Sequence, residues 1–525
     1  MINKIQNIVT KALGREVGQV MMTDRVEYGH YSTSAAFLLA KEWKTPPIEA
    51  AKKLADKIRA ADEEKIFQKI EAVAPGYVNF WISAKVLAAE LQSILKFPSS
   101  RKATKGKQKI CLEFISANPT GPLTMANGRG GFLGDALANI LEAVGNKVTR
   151  EYYINDAGNQ VRVLGESILA AIGKAEPKEE HYKGAYVLTL ARKIQPKIKT
   201  DDALKIGQLA AGELLKEIKQ SVKNAGISFD VWFSEQKNLH QRKELPKTLE
   251  FLKSKKLVAE HDGAVWLKTE GIADDKDRVL VKSDGKPTYF LADLAYHYDK
   301  FIKRGFDISA NIWGADHHGY VARLKSGVEA LGVDPERLKI IITQLVRLIE
   351  NGEEVKMSKR KGEFVTMDEL IKEVGKDVAR FFFLMHSPDT HMDFDLGLAK
   401  EQSSKNPVFY TQYAYVRAVS ILEKAGVKPK MAALADVSAD SEVQLLQILG
   451  KYDYMIQQTA SDYQVSRVAR YALEIARAVH NFYEKERVID EKGKVIQSRL
   501  ALMAATEKVL KQVFGLLGIS APEKM

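Results

Sequence analysis

The stretch from Lys109 to Gly131, KICLEFISANPTGPLTMANGRGG, decides how the rest of the chain is read. Lys109–Ile115 is a short apolar run, the pattern of a buried strand. Ser116–Pro122 carries two prolines and a glycine and predicts a loop. Met125–Ala143 predicts a helix that ends near Gly145, and Lys147–Ile154 predicts a second strand. Strand, loop, helix and strand fit within about 45 residues, the size of a βαβ crossover, which predicts a parallel, nucleotide-binding sheet. At the helix start, unpaired N–H groups and the helix dipole favour an anion. Gly128, Gly130, Gly131 and Gly134 leave room for a ligand or for a second backbone. A tight connection whose glycines serve packing alone has the same sequence.

The pattern extends in both directions. Ile308–Trp313 and Leu338–Thr343 read as strands flanking a helix at Tyr320–Leu331, a second α/β half. Between the halves, residues 165–285 are mixed and polar and are expected to be an insertion. The first ~95 residues read as a small α/β module, with helices at Ala35–Lys41 and Pro47–Ile58 and a strand at Tyr77–Ile82. From about residue 400 the pattern turns helical. Val468, Tyr471, Ala472, Ile475, Val479 and Phe482 recur at three- and four-residue spacing, as do Leu502, Ala505, Val509 and Val513.

Composition limits the function classes. The 525 residues suffice for three or four domains. A content of 45% hydrophobic and 28% charged residues excludes a disordered chain. The single cysteine, Cys111, excludes an internal disulfide framework and a Cys-rich zinc ribbon and suits a reducing compartment. No apolar run reaches the ~18 residues of a membrane span. Lys4, Lys11, Arg15 and Asp24 break any secretory apolar segment, so a cytoplasmic location and no membrane partner are expected. The net charge of +12 permits a polyanionic partner. Most of the surplus is N-terminal: residues 1–107 hold 18 basic and 11 acidic side chains. The cluster Arg101, Lys102, Lys105, Lys107 fits either a solvated linker or contact with phosphate backbone.

A second informative segment is Val355–Gly362, VKMSKRKG. Such a charge run is either a solvated face or a loop that neutralises a leaving pyrophosphate. Together, SANPTGPLTMANG and KMSK resemble the paired signatures of class I aminoacyl-tRNA synthetases, His-x-Gly-His and Lys-Met-Ser-Lys. YINDAGNQ at 153–160, DLAYHYDK at 293–300, GADHHGY at 314–320, DFDLGLAK at 393–400 and NPVFYTQYA at 406–414 are similar to the arginyl-tRNA synthetase family. So are the segment ending in APGYVNF and the C-terminal LLGISAPEKM. The resemblance runs in order along essentially the whole chain.

The resemblance implies a fold of class α/β: a Rossmann-type parallel-sheet core with an insertion, a small N-terminal α/β domain and a C-terminal all-α helix bundle. The implied boundaries are an additional tRNA-binding domain at 1–100, the catalytic domain at 101–375 (insertion about 165–285), and a stem-contact and anticodon-binding domain at 376–525. The implied reaction joins L-arginine to tRNA(Arg) through an arginyl-adenylate, using ATP and Mg²⁺, in a monomer without an editing domain.

Carried over residue by residue, Lys356, Lys359, Thr124 and Asn127 are catalytic. Pro119, Thr120, Gly121, Gly128, Gly314, Asp316, His317, Met357 and Ser358 join Thr124 and Asn127 in binding ATP. Arginine falls to Glu113, Ser116, Asn118, Asn155, Tyr289, Asp293 and Gln344, with Gln160 a weaker candidate. Carboxylates suit a planar guanidinium with five donors, and Tyr289 and Asp293 share a face if a helix starts there. Arg101, Lys102, Lys105, Lys107, Tyr410 and Tyr413 are the tRNA contacts, the two tyrosines being equally suited to a core. His317 and His318 lack the further ligands of a metal set, so no metal site is expected. The chain departs from the family at the first signature. Thr124-Met125-Ala126-Asn127 stands where the family has His-x-Gly-His, replacing cationic donors with neutral ones. Two other classes compete: an inactive paralog that binds tRNA, and another class I synthetase such as the cysteinyl or glutamyl enzyme. The intact Lys-Met-Ser-Lys opposes the first, and the N-terminal domain with Asn155–Gln160 opposes the second.

Overall fold

The computed structural model describes residues 1–23, 25–96, 108–268, 277–355, 365–430 and 437–525. The chain divides into two compact units: one holds 1–101 with most of 402–525, the other 102–401 with residues 464–466.

In the first unit, strands β1 (Val20–Met22), β2 (Tyr31–Thr33), β3 (Phe67–Val73) and β4 (Tyr77–Ile82) form an antiparallel sheet in the order β1-β2-β4-β3. Helices Ala35–Trp43 and Pro47–Ala61 run slightly past their expected ends and bury Leu39, Leu54 and Ile58. Helix Ala84–Lys96 then packs on Asp440–Gly450 and Gln497–Leu517 of the helical region. Gln447 Nε2 donates to the His30 carbonyl at 2.6 Å, and Lys508 Nζ to the Leu95 carbonyl at 2.6 Å. The N-terminal module and the C-terminal bundle, far apart in sequence, therefore share one unit. Both apolar stripes read from the sequence are buried there, Val468 to Phe482 and Leu502 to Val513.

The second unit is built on a five-stranded parallel sheet. Its strands are β5 (Lys109–Glu113), β6 (Lys147–Ile154), β7 (Val231–Ser234), β11 (Ile308–Gly314) and β12 (Leu338–Thr343), in the order β12-β11-β5-β6-β7. The chain builds outward from β5 through β6 to β7, then crosses to the other side of β5 to add β11 and β12. The direction reverses between β5 and β11, and ligands bind at the carboxyl ends of strands flanking such a point. β5 stops at Glu113 rather than Ile115, because Ile115 and Ser116 turn the backbone to φ 64° and 41°.

The insertion expected over about 165–285 is not one excursion. Helices Asn159–Ala171, Ala185–Ile194 and Ala203–Asn224 enclose a core of their own around Ile168, Leu190, Ile206 and Leu214. The chain then returns to the sheet as β7, too short to announce itself by periodicity. It leaves again as the antiparallel β8 (Val258–His261), β9 (Ala264–Leu267) and β10 (Arg278–Val281). Beyond the sheet, the hairpin β13 (Val346–Glu350) and β14 (Glu353–Glu354) pairs with β15 (Met392–Asp395). Helix Lys376–Met385 and β15 therefore sit in this unit, although they follow the boundary expected at 375.

Helix Met125–Ala143 crosses the sheet face with little clearance. A Cβ on Gly134 would lie 2.2 Å from Phe114 Cγ, and one on Gly131 would lie 2.8 Å from Ile115 Cδ1. A Cβ on Gly130 would meet Ile312 Cγ2 only at 3.8 Å. These two close glycines serve packing of helix on sheet. Gly134→Ala is expected to destabilise the catalytic unit by about 1–3 kcal/mol through overpacking, whereas Gly130→Ala, inside the helix with room for a methyl group, is expected to stabilise it by about 0.5–1 kcal/mol. Urea unfolding midpoints of the two variants check the contrast.

Candidate active site

The loop that leaves β5 begins with strain. The Ser116 N–H donates to the Phe114 carbonyl at 2.9 Å across Ile115, whose φ is 64°. This is a γ-turn of the rare positive-φ kind, centred on a β-branched residue. Strained backbone of this sort persists only where its surroundings over-determine it, and such places cluster at ligand sites. Ser116 Oγ donates to Glu113 Oε1 and accepts from the Tyr153 N–H, both at 3.1 Å, and Tyr152 Oη donates to the Ala117 carbonyl at 2.8 Å.

A cavity of about 630 Å³ opens at the carboxyl ends of β6 and β11. Four of the expected residues line it: Asn155, Tyr289, Asp293 and His317. Helix Tyr289–Tyr298 starts under the Thr288 N-cap, which brings Tyr289 and Asp293 onto one face. Tyr289 stands exposed at the mouth. Sequence reading missed Tyr153, Glu235, Tyr320, Trp266, Arg278 and Arg323, which also line the cavity. Glu235 follows the short β7 and is only 5% exposed. Its Oε2 accepts from Tyr153 Oη at 2.9 Å and, in the amide orientation that satisfies Asn155, from that side chain at 3.3 Å. His240 Nε2 lies 2.9 Å from Oε1, and the pair raises the His240 pKa.

Asp293 faces the same space and accepts from the Tyr320 hydroxyl. Burial, aided by the negative charges of Glu113 and Glu235 and opposed by the Tyr320 hydrogen bond, pushes its carboxyl up to about 7. The lining brings together the carboxylates Glu235, Asp277 and Asp293, the phenols Tyr153, Tyr289 and Tyr320 and the Asn155 amide, acceptors of the kind a planar cation with several N–H donors can use, with Arg278 and Arg323 in the same wall.

The other residues expected to hold arginine are not among those lining the cavity. Glu113 is buried, with Lys300 Nζ 2.6 Å from Oε2. Asn118 Nδ2 donates to Gln160 Oε1 at 2.5 Å. Gln344 is held through its backbone, its carbonyl accepting from Arg129 and its N–H donating to the Pro388 carbonyl, each at 2.8 Å.

The expected nucleotide loop is close by. Pro119 and Thr120 are buried. Tyr186 Oη donates to the Thr120 carbonyl at 3.0 Å, and the ring covers Gly121. Thr124 is the N-cap of the glycine-rich helix. Asn127 Oδ1 accepts from both the Thr124 N–H and its hydroxyl at 2.9 Å, one side of a capping box. At the position of the first signature the chain thus carries a helix cap whose two side chains bond each other. Gly128 is buried against Met367. Gly314 ends β11, and Asp316 and His317 follow it as an exposed pair, Nε2 to Oδ2 3.5 Å.

Lys356, Met357, Ser358 and Lys359 lie outside the described residues, but the segments flanking them are defined. Val355 donates to the Leu348 carbonyl at 2.9 Å, and the Val365 carbonyl accepts from the Met125 N–H at 3.0 Å. The basic segment therefore leaves from the β13–β14 hairpin and returns against the start of the glycine-rich helix. Arg129, buried in that helix, donates to the carbonyls of Gln344, Leu345, Ser387 and Thr390 at 2.8–3.4 Å. It ties the turn before β13 and the turn before β15 to the helix.

Arg101, Lys102, Lys105 and Lys107 also fall outside the described residues. In the helical region Tyr410 is half-buried against His480, with ring centroids 4.5 Å apart. Tyr413 is exposed, 5.8 Å from the same imidazole, and Arg417 lies over it and over Tyr483. The two tyrosines thus share one partly exposed aromatic cluster.

Residues 90–384 match the model of the catalytic domain of tRNA synthetases class I (R). Residues 1–82 match the arginyl tRNA synthetase N-terminal domain, and 411–525 the DALR anticodon binding domain. The split parallel sheet with its site at the strand reversal is thus the catalytic unit of a class I aminoacyl-tRNA synthetase. The chain is 42% identical over 521 residues to the arginine--tRNA ligase of Carboxydothermus hydrogenoformans, covering 95% of this chain and 92% of that protein. It is 40% identical over 521 residues to the Bacillus subtilis arginine--tRNA ligase, with the same coverage. The solved arginyl-tRNA synthetase of Thermus thermophilus has the same fold, with a TM-score of 0.82 at 22% identity over 100% of both chains. The chain belongs to the arginyl-tRNA synthetase family.

A guanidinium bound beside Asp293 requires its ionised form, while the empty site holds a proton below about pH 7. Binding must then release that proton. With free L-arginine as the probe, affinity is expected to fall about tenfold from pH 8 to pH 6. Calorimetry at pH 6 in buffers of different ionisation heat should report about one proton released, and none in Asp293→Asn.

Proposed function

We infer that the chain ligates L-arginine to tRNA(Arg) in translation, through an arginyl-adenylate formed with ATP. The observation that carries this reading is the pair Asp293 and Glu235 at one end of the cavity, opening on the carboxyl edge of a class I synthetase sheet. In the first step the α-carboxylate of arginine attacks the α-phosphorus of ATP and pyrophosphate leaves. In the second, the 2′-hydroxyl of the terminal adenosine of tRNA attacks the activated carbonyl and AMP leaves. No protein nucleophile is needed, so the rate comes from positioning and from stabilising charge.

Asp293, Glu235, Asn155 and Tyr289 hold the guanidinium end. The loop Pro119–Gly121, the helix start at Thr124–Gly128 and the β11 exit at Gly314–His317 receive the nucleotide. Thr124 and Asn127 bond each other through Asn127 Oδ1, which leaves the Asn127 amide N–H groups to donate to phosphate oxygens. Lys356 and Lys359 neutralise the departing pyrophosphate. Among the described residues no group of three His, Cys, Asp or Glu could hold a metal ion. Mg²⁺ belongs to this reading as a companion of the ATP phosphates, and no step is assigned to a metal held by the protein.

The 1–100 module with the basic segment 101–107, and the cluster around Tyr410 and Tyr413, are the proposed tRNA contacts. Among the described residues no helix is long and apolar enough to cross a membrane, and the reading carries with it a cytoplasmic location and a monomer.

Charging of total tRNA with each radiolabelled amino acid, ATP and Mg²⁺ tests the assignment: arginine alone should be esterified. Lys359→Ala is expected to lower arginine-dependent ATP–pyrophosphate exchange more than tenfold, and an unchanged rate would remove that lysine from the mechanism. Thr124→His combined with Asn127→His breaks the helix cap, and aminoacylation should rise by less than tenfold. A gain of several orders of magnitude would show that the natural site is crippled.

A further inference from the structure

Beneath the cavity lies a buried cation that the proposed reaction does not use. Lys300, in the turn Asp299–Lys303 after helix Tyr289–Tyr298, has no exposed surface. Its ammonium donates to Glu113 Oε2 at 2.6 Å and to Asn311 Oδ1 at 3.3 Å, and sits 4.0 Å from the centre of the Tyr296 ring. Removing a lysine from water is costly unless its charge is paired and its donors are bonded, and Lys300 meets both conditions only while Glu113 and Asn311 stay in place.

Two chains of hydrogen bonds leave this ammonium. One runs through Glu113 to the Ser116 hydroxyl and on to the Tyr153 N–H, and it spans the strained turn at Ile115–Ser116. The other runs through Asn311, whose Nδ2 lies 3.4 Å from His297 Nε2, while His297 Nδ1 lies 2.8 Å from the Asp293 carbonyl. Because that carbonyl only accepts, Nδ1 carries the proton and Nε2 accepts from Asn311. A neutral ring suits this arrangement, and burial pushes the His297 pKa down to about 3. The first chain passes the start of the nucleotide loop at Ser116 and ends on the β6 backbone at Tyr153. The second ends on the backbone of the residue that faces the guanidinium.

We propose that Lys300 is a positioning residue that fixes the nucleotide loop after β5 and the guanidinium-binding end of helix Tyr289–Tyr298 in one register, so that the arginine carboxylate and the α-phosphate meet in line. The proposal rests on the arginine-ligating reading given above. Lys300 touches neither substrate. Glu113 thereby acts as the link between the ammonium and Ser116. Loss of the clamp lets the strained turn relax. A shift on the order of an ångström at the reacting atoms lowers kcat while arginine still finds its pocket.

The test is steady-state aminoacylation by the full chain with tRNA(Arg), arginine and ATP, for wild type, Lys300→Met, Ser116→Ala and the double variant. The expected result is a more than thirtyfold loss of kcat in K300M and a more than tenfold loss in S116A. The arginine KM should stay within threefold of wild type, and the double variant should be no slower than K300M, since both substitutions cut one chain. Near-UV circular dichroism reports whether K300M is folded. If it is not, S116A, which leaves the buried pair intact, decides alone. Wild-type kcat in S116A, losses that multiply in the double variant, or a raised arginine KM at unchanged kcat would each overturn the proposal; the last would place Ser116 against the substrate. Wild-type enzyme that fails to charge tRNA with arginine would instead count against the functional reading.

Discussion

The contact on which the catalytic unit depends is that between helix Met125–Ala143 and the two residues that follow β5. With glycine at 131 and 134 the helix lies directly on Ile115 and Phe114, where any Cβ would collide. Close seating places the helix N-terminus beside the loop that leaves the strand. Arg129 and the Met125–Val365 hydrogen bond then attach the segments on either side of the Lys-Met-Ser-Lys stretch to that same helix. Asp135, farther along, is paired with the fully buried Arg380 of helix Lys376–Met385. One helix thus relates the first signature to the second signature and the turn before β15, both more than two hundred residues further along the chain.

Beneath the cavity the interior is more highly charged than a simple apolar core. Glu151 is fully buried and holds Arg304 and the Tyr296 hydroxyl, while Glu113 holds Lys300. Buried pairs of this kind add little net stability, because desolvation offsets much of their attraction. Their effect is to forbid alternatives: any shift of one member strands the other without a partner. The electrostatics at the cavity follow from the same surroundings. Asp293, with Glu113 and Glu235 nearby and little water, carries a pKa of about 7 and is poised to lose its proton to an arriving cation.

Much of the catalytic unit is legible in the linear sequence, because buried parallel strands and a long helix leave strong local patterns. The bounds of Met125–Ala143, Lys147–Ile154 and Leu338–Thr343 follow from the residues alone. Tyr289 and Asp293 are found together because the helix period puts them on one face. Glu235 is not found, since it follows a four-residue strand inside a region that reads as an insertion. Nor is the joining of the N-terminal module to the C-terminal helices, which depends on contacts such as Gln447 with His30 across 417 positions.

The sequence by itself determined the class of fold, the family, and the two signatures, including the loss of both histidines at Thr124 and Asn127. These are matters of local pattern and residue type. Only the tertiary structure decided what each candidate carboxylate is paired with and which of them lines the cavity. Glu113 and Asp293 look alike in sequence, each a lone acid beside a loop or helix start. Folding buries Glu113 against a lysine 187 positions away and leaves Asp293 lining a cavity. The physical reason is that pairing and solvation of a charge depend on what the fold brings within a few ångströms of it, and linear spacing does not contain that distance.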